Sequence, residues 1–342
     1  MVNKMKLVIS ILVLLFSFVF DAKANDAGLR HIVARGKVLC GTDLQGGVQA
    51  YKDEDDIWRG IDVDLCKVFS YALLGRNDAF EMVHVDNNKV ENALTKNRVD
   101  IMFGQVPYSP KIDLRKKIAP AALLYYDRQV LLVKRIDDAN SMEGYKGKRI
   151  CVEQASEYYA NMQEYDRKYS LDLTFLPFNS EASAKEAFFL KRCEVLTGGE
   201  VYLKGLMKKQ FVNPEQVWLT DERVSIKPVY AFVEDSNDTL KGIVKWVINA
   251  LQMAEQKGIY SHNVNIFLSD KDIAVRNLLG VSDVLWKKLE VKPNWVVEAI
   301  SDVGNYREIY DRNLGKDSEL NLDINENNLV KDGGLIDQRP FI

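Results

Sequence analysis

Ala93-Leu-Thr-Lys-Asn-Arg98-Val-Asp100-Ile-Met-Phe-Gly104 is echoed later in the chain by Ala187-Phe-Phe-Leu-Lys-Arg192-Cys-Glu194-Val-Leu-Thr-Gly198. Each copy runs from a helical pattern through a basic and an acidic residue into an apolar strand closed by glycine. An earlier pair of segments also matches: Gly36-Lys-Val-Leu-Cys40 and Gly147-Lys-Arg-Ile-Cys151 both read as short strands. Between the first members of these pairs, Ile61 to Leu74 carries a helix pattern. Leu65, Phe69 and Leu73 recur at four-residue spacing, with Asp62 or Asp64 as cap and Gly75 as stop. Phe80 to Val85 alternates like a strand. Asn87 or Asn88 can cap a helix through Lys96, and Asn97 suits a left-handed stop. Strands alternating with helices predict an α/β protein with largely parallel sheets. The echo predicts two similar lobes, each strand–helix–strand–helix–strand.

Composition agrees. The chain has 342 residues, 47% hydrophobic and 28% charged, enough for a sizeable core and suggestive of two domains. Lys plus Arg is 46 against 49 Asp plus Glu, which argues against a nucleic-acid footprint. Three His and four scattered Cys leave little for a metal cluster, and no metal or cofactor is expected.

The N-terminus reads as an address. Lys4 and Lys6 precede the apolar run Leu7 to Phe20, and Ala22-Lys23-Ala24 supplies a small-x-small cleavage pattern. The run is too short to span a bilayer. Residues 1–24 are therefore expected to be a cleaved signal peptide of an exported, soluble, periplasmic protein. The chain from Asn25 then carries 43 basic and 48 acidic residues. Export favours disulfides. Cys40, Cys66, Cys151 and Cys193 allow three pairings, and the repeat suggests one pair per lobe, Cys40–Cys66 and Cys151–Cys193. Each bridge would add roughly 3–4 kcal/mol by the chain-entropy model.

Further on, Thr239 to Lys257 is an amphipathic helix with Leu240, Ile243, Val244, Val247 and Leu251 on one face, Asp238 as cap and Gly258 after its end. Trp286, Trp295 and Tyr306 predict a folded C-terminal extension. The polar stretch from Lys316 is expected to run over the surface. The chain holds no GxSxG, HExxH, GxGxxG or GxxxxGK(S/T), and His84, in a predicted strand, reads as structural.

Gly60-Ile-Asp-Val-Asp-Leu-Cys66, Arg98-Val-Asp-Ile-Met102, Tyr125-Tyr-Asp127, Arg192-Cys-Glu194, Val303-Gly-Asn-Tyr-Arg-Glu-Ile-Tyr-Asp-Arg-Asn-Leu-Gly315 and Asn327-Asn-Leu-Val-Lys-Asp-Gly-Gly334 resemble the general L-amino-acid-binding periplasmic proteins of ABC importers, in solute-binding protein family 3. The resemblance covers nearly all of the chain after residue 24. It implies the two-lobed periplasmic-binding-protein fold, each lobe a mostly parallel sheet flanked by helices. Two hinge strands, matched by Tyr125 to Val130 and Ile226 to Ala231, would join the lobes. Lobe 1 would be 25–126 plus 231–342, including the extension, and lobe 2 would be 127–230. The implied function is a receptor, monomeric and not an enzyme, that delivers an amino acid or related small polar solute to a transporter permease. The alternative is a degenerate scaffold serving as a sensor or partner-interaction module.

In that family a guanidinium and backbone N–H groups hold the ligand carboxylate, an acidic group holds its ammonium, and an aromatic face covers the side chain. This chain departs from the pattern at nearly every clamp position. Ile112 stands where the family has Arg, Pro107 and Ser109 replace threonines, and Gly199 falls at the acidic position. The Gly-Thr loop reads Ala155-Ser156-Glu157-Tyr158, and the usual aromatic position is Val48 or Gln49. Lys111, Arg115 or Arg128 could replace the Arg, and Glu200 or Glu153 could take an ammonium. Removing one partner of a buried charged pair costs about 2–5 kcal/mol, so plain amino acids should bind weakly. The expected cleft lining is Asp43, Gln49, Gln105, Tyr108, Ser109 and Arg115 from lobe 1, with Ser156, Tyr158 and Glu200 from lobe 2. Such a lining suits a mainly neutral, hydrogen-bonding solute.

Overall fold

The computed structural model describes residues 27–44, 47–104, 106, 110–114, 117–135, 142–154, 156–210, 216–282 and 284–342. The expected signal peptide lies outside them. Elements in chain order are α1 (Ala27–Arg35), β1 (Val38–Thr42), β2 (Tyr51–Lys52), β3 (Trp58–Arg59), α2 (Ile61–Leu74), β4 (Phe80–His84), α3 (Val90–Thr95), β5 (Ile101–Met102), α4 (Pro110–Asp113) and β6 (Ile118–Lys134). There follow β7 (Arg149–Glu153), α5 (Glu157–Tyr169), β8 (Thr174–Phe178), α6 (Glu181–Phe189), β9 (Val195–Gly199), α7 (Glu200–Gln210), β10 (Val217–Leu219) and β11 (Ser225–Glu234). The chain closes with α8 (Asp238–Gln256), α9 (Ile273–Leu278), α10 (Val284–Lys288), α11 (Trp295–Asp302) and α12 (Tyr306–Asn313).

The main sheet runs β4-β1-β5-β11-β6-β9-β7-β8, with β10 beside β6. On one side β1 pairs parallel with β4 and β5; on the other β7 pairs parallel with β8 and β9. The antiparallel pair β6 and β11 joins the halves. β11 meets the first half at Phe232↔Met102, whereas β6 meets the second from Gln129↔Gly199 onward. Between those contacts the β6–β11 register slips twice, at Val229/Tyr230 and Ala231/Phe232. This is the two-lobed α/β architecture expected, with both crossing strands where the resemblance put them.

Local chemistry explains most element ends. Gly75 ends α2 in the left-handed region at φ 74°, and Asn97 at φ 52° turns the chain from α3 toward β5. The caps differ in detail from the sequence reading. Gly60 precedes α2, and both Asp62 and Asp64 sit inside its first turn. At α8 the cap is Asn237, whose side chain accepts from the Leu240 N–H at 3.0 Å, and Asp238 is the first helical residue. Asn and Asp cap about equally well, so adjacent Asn237-Asp238 left the choice to the entering chain.

Burial divides largely by lobe, with Val201 of α7 joining the lobe 1 cluster. Val130, Leu132, Leu196, Leu203 and Phe188 share one cluster, and Leu131, Tyr145, Ile150 and Met162 another, on the two faces of the second half-sheet. A larger cluster in lobe 1 unites α2, α8 and the C-terminal region through Phe69, Val247, Leu251, Trp286, Trp295 and Ile309. The disulfides Cys40–Cys66 and Cys151–Cys193 each staple a strand of one lobe, with Cα atoms 6.2 and 5.8 Å apart. The stretch after Lys316 is not the surface run expected. Leu329, Ile336 and Phe341 are buried in the lobe 1 core. The reason is tethering: Asn327 accepts from the Tyr126 N–H at 2.6 Å and donates to the Tyr126 carbonyl at 2.9 Å, so a side-chain amide completes the edge of a crossing strand. Among the described residues no helix is long and apolar enough to cross a membrane.

Candidate functional site

Parallel strands aim their C-terminal ends, and the loops leaving them, at a common crevice, the usual ligand site of open α/β sheets. Here that crevice is a cavity of about 520 Å³ between the lobes. Lobe 1 lines it with Thr42 and Asp43 at the end of β1, Gln49, Asp62 in the first turn of α2, Asp86 and Asn88 after β4, and Gly104 after β5. Lobe 2 supplies Glu153 at the end of β7, Asn179 and Ser180 after β8, Glu181, Ala182 and Lys185 of α6, and Tyr202 of α7. Two other depressions, of about 610 and 730 Å³, lie among C-terminal residues and beside α2 and α11, and neither draws on both lobes.

The lining is acidic, not neutral. Asp86 is compensated: Lys89 lies 2.5 Å away and His84 3.1 Å, and these partners hold its carboxyl below the usual range. Asp43 stands 3.9 Å from the His84 ring. The remaining carboxylates are less well served. Asp62 is 1% exposed; its Oδ2 accepts from the Thr42 hydroxyl at 2.5 Å, and its Oδ1 has no partner among the described residues. Burial pushes this carboxyl up to about 7. Glu181 opens α6 just after its N-cap Ser180, a position where the helix dipole favours an anion. Burial, then the Glu153 and Asp43 charges, nevertheless raise it to about 8. Burial also raises Glu153.

Of the residues expected in the cleft, Asp43 and Gln49 line this cavity, and Glu153, named as an ammonium acceptor, does too. Ser156 is committed elsewhere: as N-cap of α5 it accepts from the Tyr159 N–H at 3.1 Å and donates to the Glu153 carbonyl at 2.8 Å. Tyr158 is buried, its carbonyl bonded to Gln129 and its ring 5.3 Å below the Lys227 ammonium. Glu200 is 8% exposed and faces Arg128 at 2.7 Å, on the crossing strand. The two candidates for opposite ends of a zwitterion thus neutralise each other, because β9 and β6 are neighbours and Glu200 directly follows β9. Gln105, Tyr108, Ser109 and Arg115 lie outside the described residues, as do the side chains of Lys111 and Ile112. The sequence reading missed Asp62, which it took as a helix cap, and Glu181, Lys185 and Tyr202. The strand–Asn179-Ser180-Glu181–helix junction was the available signal, since such junctions face the crevice.

No protein-family model matches the chain. Curated relatives do. The putative amino-acid ABC transporter-binding protein YhdW of Escherichia coli is 27% identical over 323 residues, 92% of this chain and 93% of that protein. The general L-amino acid-binding periplasmic protein AapJ of Rhizobium johnstonii is 27% identical over 91% of this chain and 92% of its own. Among solved structures, an ABC transporter periplasmic binding protein from Brucella ovis with glutathione bound superposes with a TM-score of 0.83 at 26% identity, covering 92% of this chain and 99% of that one. The resemblance read from the motifs therefore extends through most of the chain, which is similar in sequence and architecture to the amino-acid ABC transporter-binding proteins.

Proposed function

We propose that the protein is the periplasmic, monomeric, non-catalytic solute receptor of an ABC importer, closing two lobes on one small solute and presenting the closed form to a membrane permease. The observation that carries this reading is a cavity at the strand ends lined from both lobes. The relatives' names describe binding proteins, not enzymes, and two disulfides suit an oxidising compartment. Lobe 1 is taken as 25–126 plus 231–342 and lobe 2 as 127–230. In support, Tyr126 is held by Asn327 of the extension, whereas Asp127 accepts from the Val201 N–H of α7 at 3.2 Å. The two register slips in β11 are the natural pivot. Binding then depends on contacts made only when the lobes meet.

Gly205 of α7 tests the closure. A Cβ there would come within 2.4 Å of Val48 Cγ1, on the opposite lobe. Gly205→Leu should prop the lobes apart while favouring the helix itself. In X-ray scattering and thermal-shift assays across a small-solute library, the parent should become more compact and more stable with its solute. The variant should bind at least about tenfold more weakly, roughly 1.4 kcal/mol, with an unchanged solute-free melting temperature. Equal affinity and equal compaction in the two proteins would refute closure between these lobes.

A further inference from the structure

We infer that the cleft takes an organic cation, a solute presenting amine or guanidine groups; this rests on the receptor reading above and narrows it. The geometry is one of converging carboxylates from four separate elements. Asp43 and Asp62 come from lobe 1 and Glu153 and Glu181 from lobe 2, with Lys185 as the one ammonium in the lining. Asp62 supplies the sharpest pointer: a carboxylate oxygen enclosed in protein, at the cavity, with no hydrogen-bond donor among the described residues. Such a group costs free energy until a donor arrives, and an ammonium or guanidinium is the donor that also neutralises it.

The opposite half of an amino-acid clamp is not offered by the described residues. Arg128 is spent on Glu200, and Lys227 on Glu157. An anion entering this space would meet the Asp43 and Glu153 side chains, with Asp62 and Glu181 adding charge as pH rises through about 7 and 8, in a partly buried cleft where charge–charge terms are several-fold stronger than in water. A metal ion is a poor alternative. Among the described residues no three His, Cys, Asp or Glu side chains stand close enough together to hold one. The cavity, at about 520 Å³, accommodates a chain such as a diamine or an aminoalkylguanidine with one end at each lobe.

The same groups make binding pH-dependent. Glu181 faces Glu153, Asp43 and Asp127, which raise its carboxyl, and Lys227, which lowers it, and it ends at about 8. Lys185 and Tyr202 share the cavity with it. Asp62, under Thr42, stands at about 7. A cation needs both ionised, so binding should expel protons.

The test is calorimetry on the purified exported chain with agmatine, 1,4-diaminobutane, arginine, glutamate and glutathione, in two buffers of different ionisation enthalpy. Agmatine or 1,4-diaminobutane should bind, releasing at least about half a proton at pH 7.5, and the dissociation constant should rise roughly tenfold per pH unit between 8 and 7 and more steeply below. Glu181→Gln and Asp62→Asn should each weaken binding at least tenfold and cut the proton release. Binding of glutamate or glutathione in preference to the amines would overturn the inference and leave the receptor reading standing. Amine binding without proton release, unaffected by either substitution, would also overturn it. Silence across both solute classes would overturn the inference and the receptor reading together.

Discussion

Asp62→Asn should make the solute-free protein more stable at alkaline pH than the parent. In the parent, burial keeps the proton on Asp62 up to about pH 7, whereas the unfolded chain releases it near 3.8. Between those values the folded state binds more protons than the unfolded state, so stability falls as pH rises; above about 7 the full cost is present, and below about 4 it vanishes. At roughly 1.4 kcal/mol per pH unit, the span from 3.8 to about 7 corresponds to about 4 kcal/mol. Water entering the open cleft lowers this, so about 2–4 kcal/mol is the expected range. Asparagine keeps the shape, and its carbonyl can still accept from the Thr42 hydroxyl, but it carries no charge at any pH. Urea denaturation at pH 5 and pH 9 measures the difference. The variant's margin over the parent should grow by about 2–3 kcal/mol between pH 5 and pH 9, the two pH units from 5 to about 7 at roughly 1.4 kcal/mol each, with unchanged m. Other raised carboxyls, Asp127 and Glu255 at about 7 and Glu181 at about 8, act in both proteins and so cancel to first order. A stability difference that is the same at both pH values would refute the account of Asp62 as a buried, under-solvated carboxylate.

Replacing Cys151 and Cys193 together by serine reopens a 42-residue separation in lobe 2 and should cost about 4 kcal/mol by the chain-entropy model; a urea midpoint unmoved by the double substitution would contradict a bridge there. Trp286→Ala removes a fully buried indole that donates to the Leu278 carbonyl at 3.0 Å and packs edge-on against Trp295 at 5.2 Å. It should cost about 3–5 kcal/mol, and a loss under about 1 kcal/mol would show that the extension is not part of the lobe 1 core.

Much of the fold was legible because its signals are local or periodic. The i, i+3, i+4 spacing of Leu240, Ile243, Val244 and Val247 needs one helix face and one core, and α8 provides both. Gly75 and Asn97 mark stops through backbone conformations that few residues tolerate. The cysteine pairing followed from the repeat, because each lobe carries one strand cysteine and one partner within the same lobe. The end of the chain was misread for the complementary reason. Leu329, Ile336 and Phe341 are buried without period among Asn, Asp and Gly, in short turns tied down by distant amides: Asn327 reaches back 201 positions to Tyr126, Asn249 pairs with the Arg339 backbone, and Asn277 donates to the Phe341 carbonyl. Nothing in neighbouring residues announces a partner so far away.

The site was legible as a place and not as a chemistry. That a cleft would form between the lobes was implied by the family resemblance, and Asp43 and Gln49 line the cavity after β1. The charge of the cleft arises from superposition. Asp62 and Glu181 each read locally as ordinary first-turn acids, which a helix N-terminus welcomes. Asp62 becomes costly through burial, and Glu181 through burial and then the nearby Glu153 and Asp43 charges, where the two lobes' first turns line one cavity. Glu200 shows the converse. In sequence it is the natural replacement for the missing acid at Gly199, yet its one-residue offset carries it past the end of β9 and onto Arg128, where it is neutral as a pair. A shift of one position thus separates an acid that balances the hinge from the acids that face the solute. The net charge presented to a ligand is set by which carboxylates the fold leaves without cations, not by how many the sequence contains.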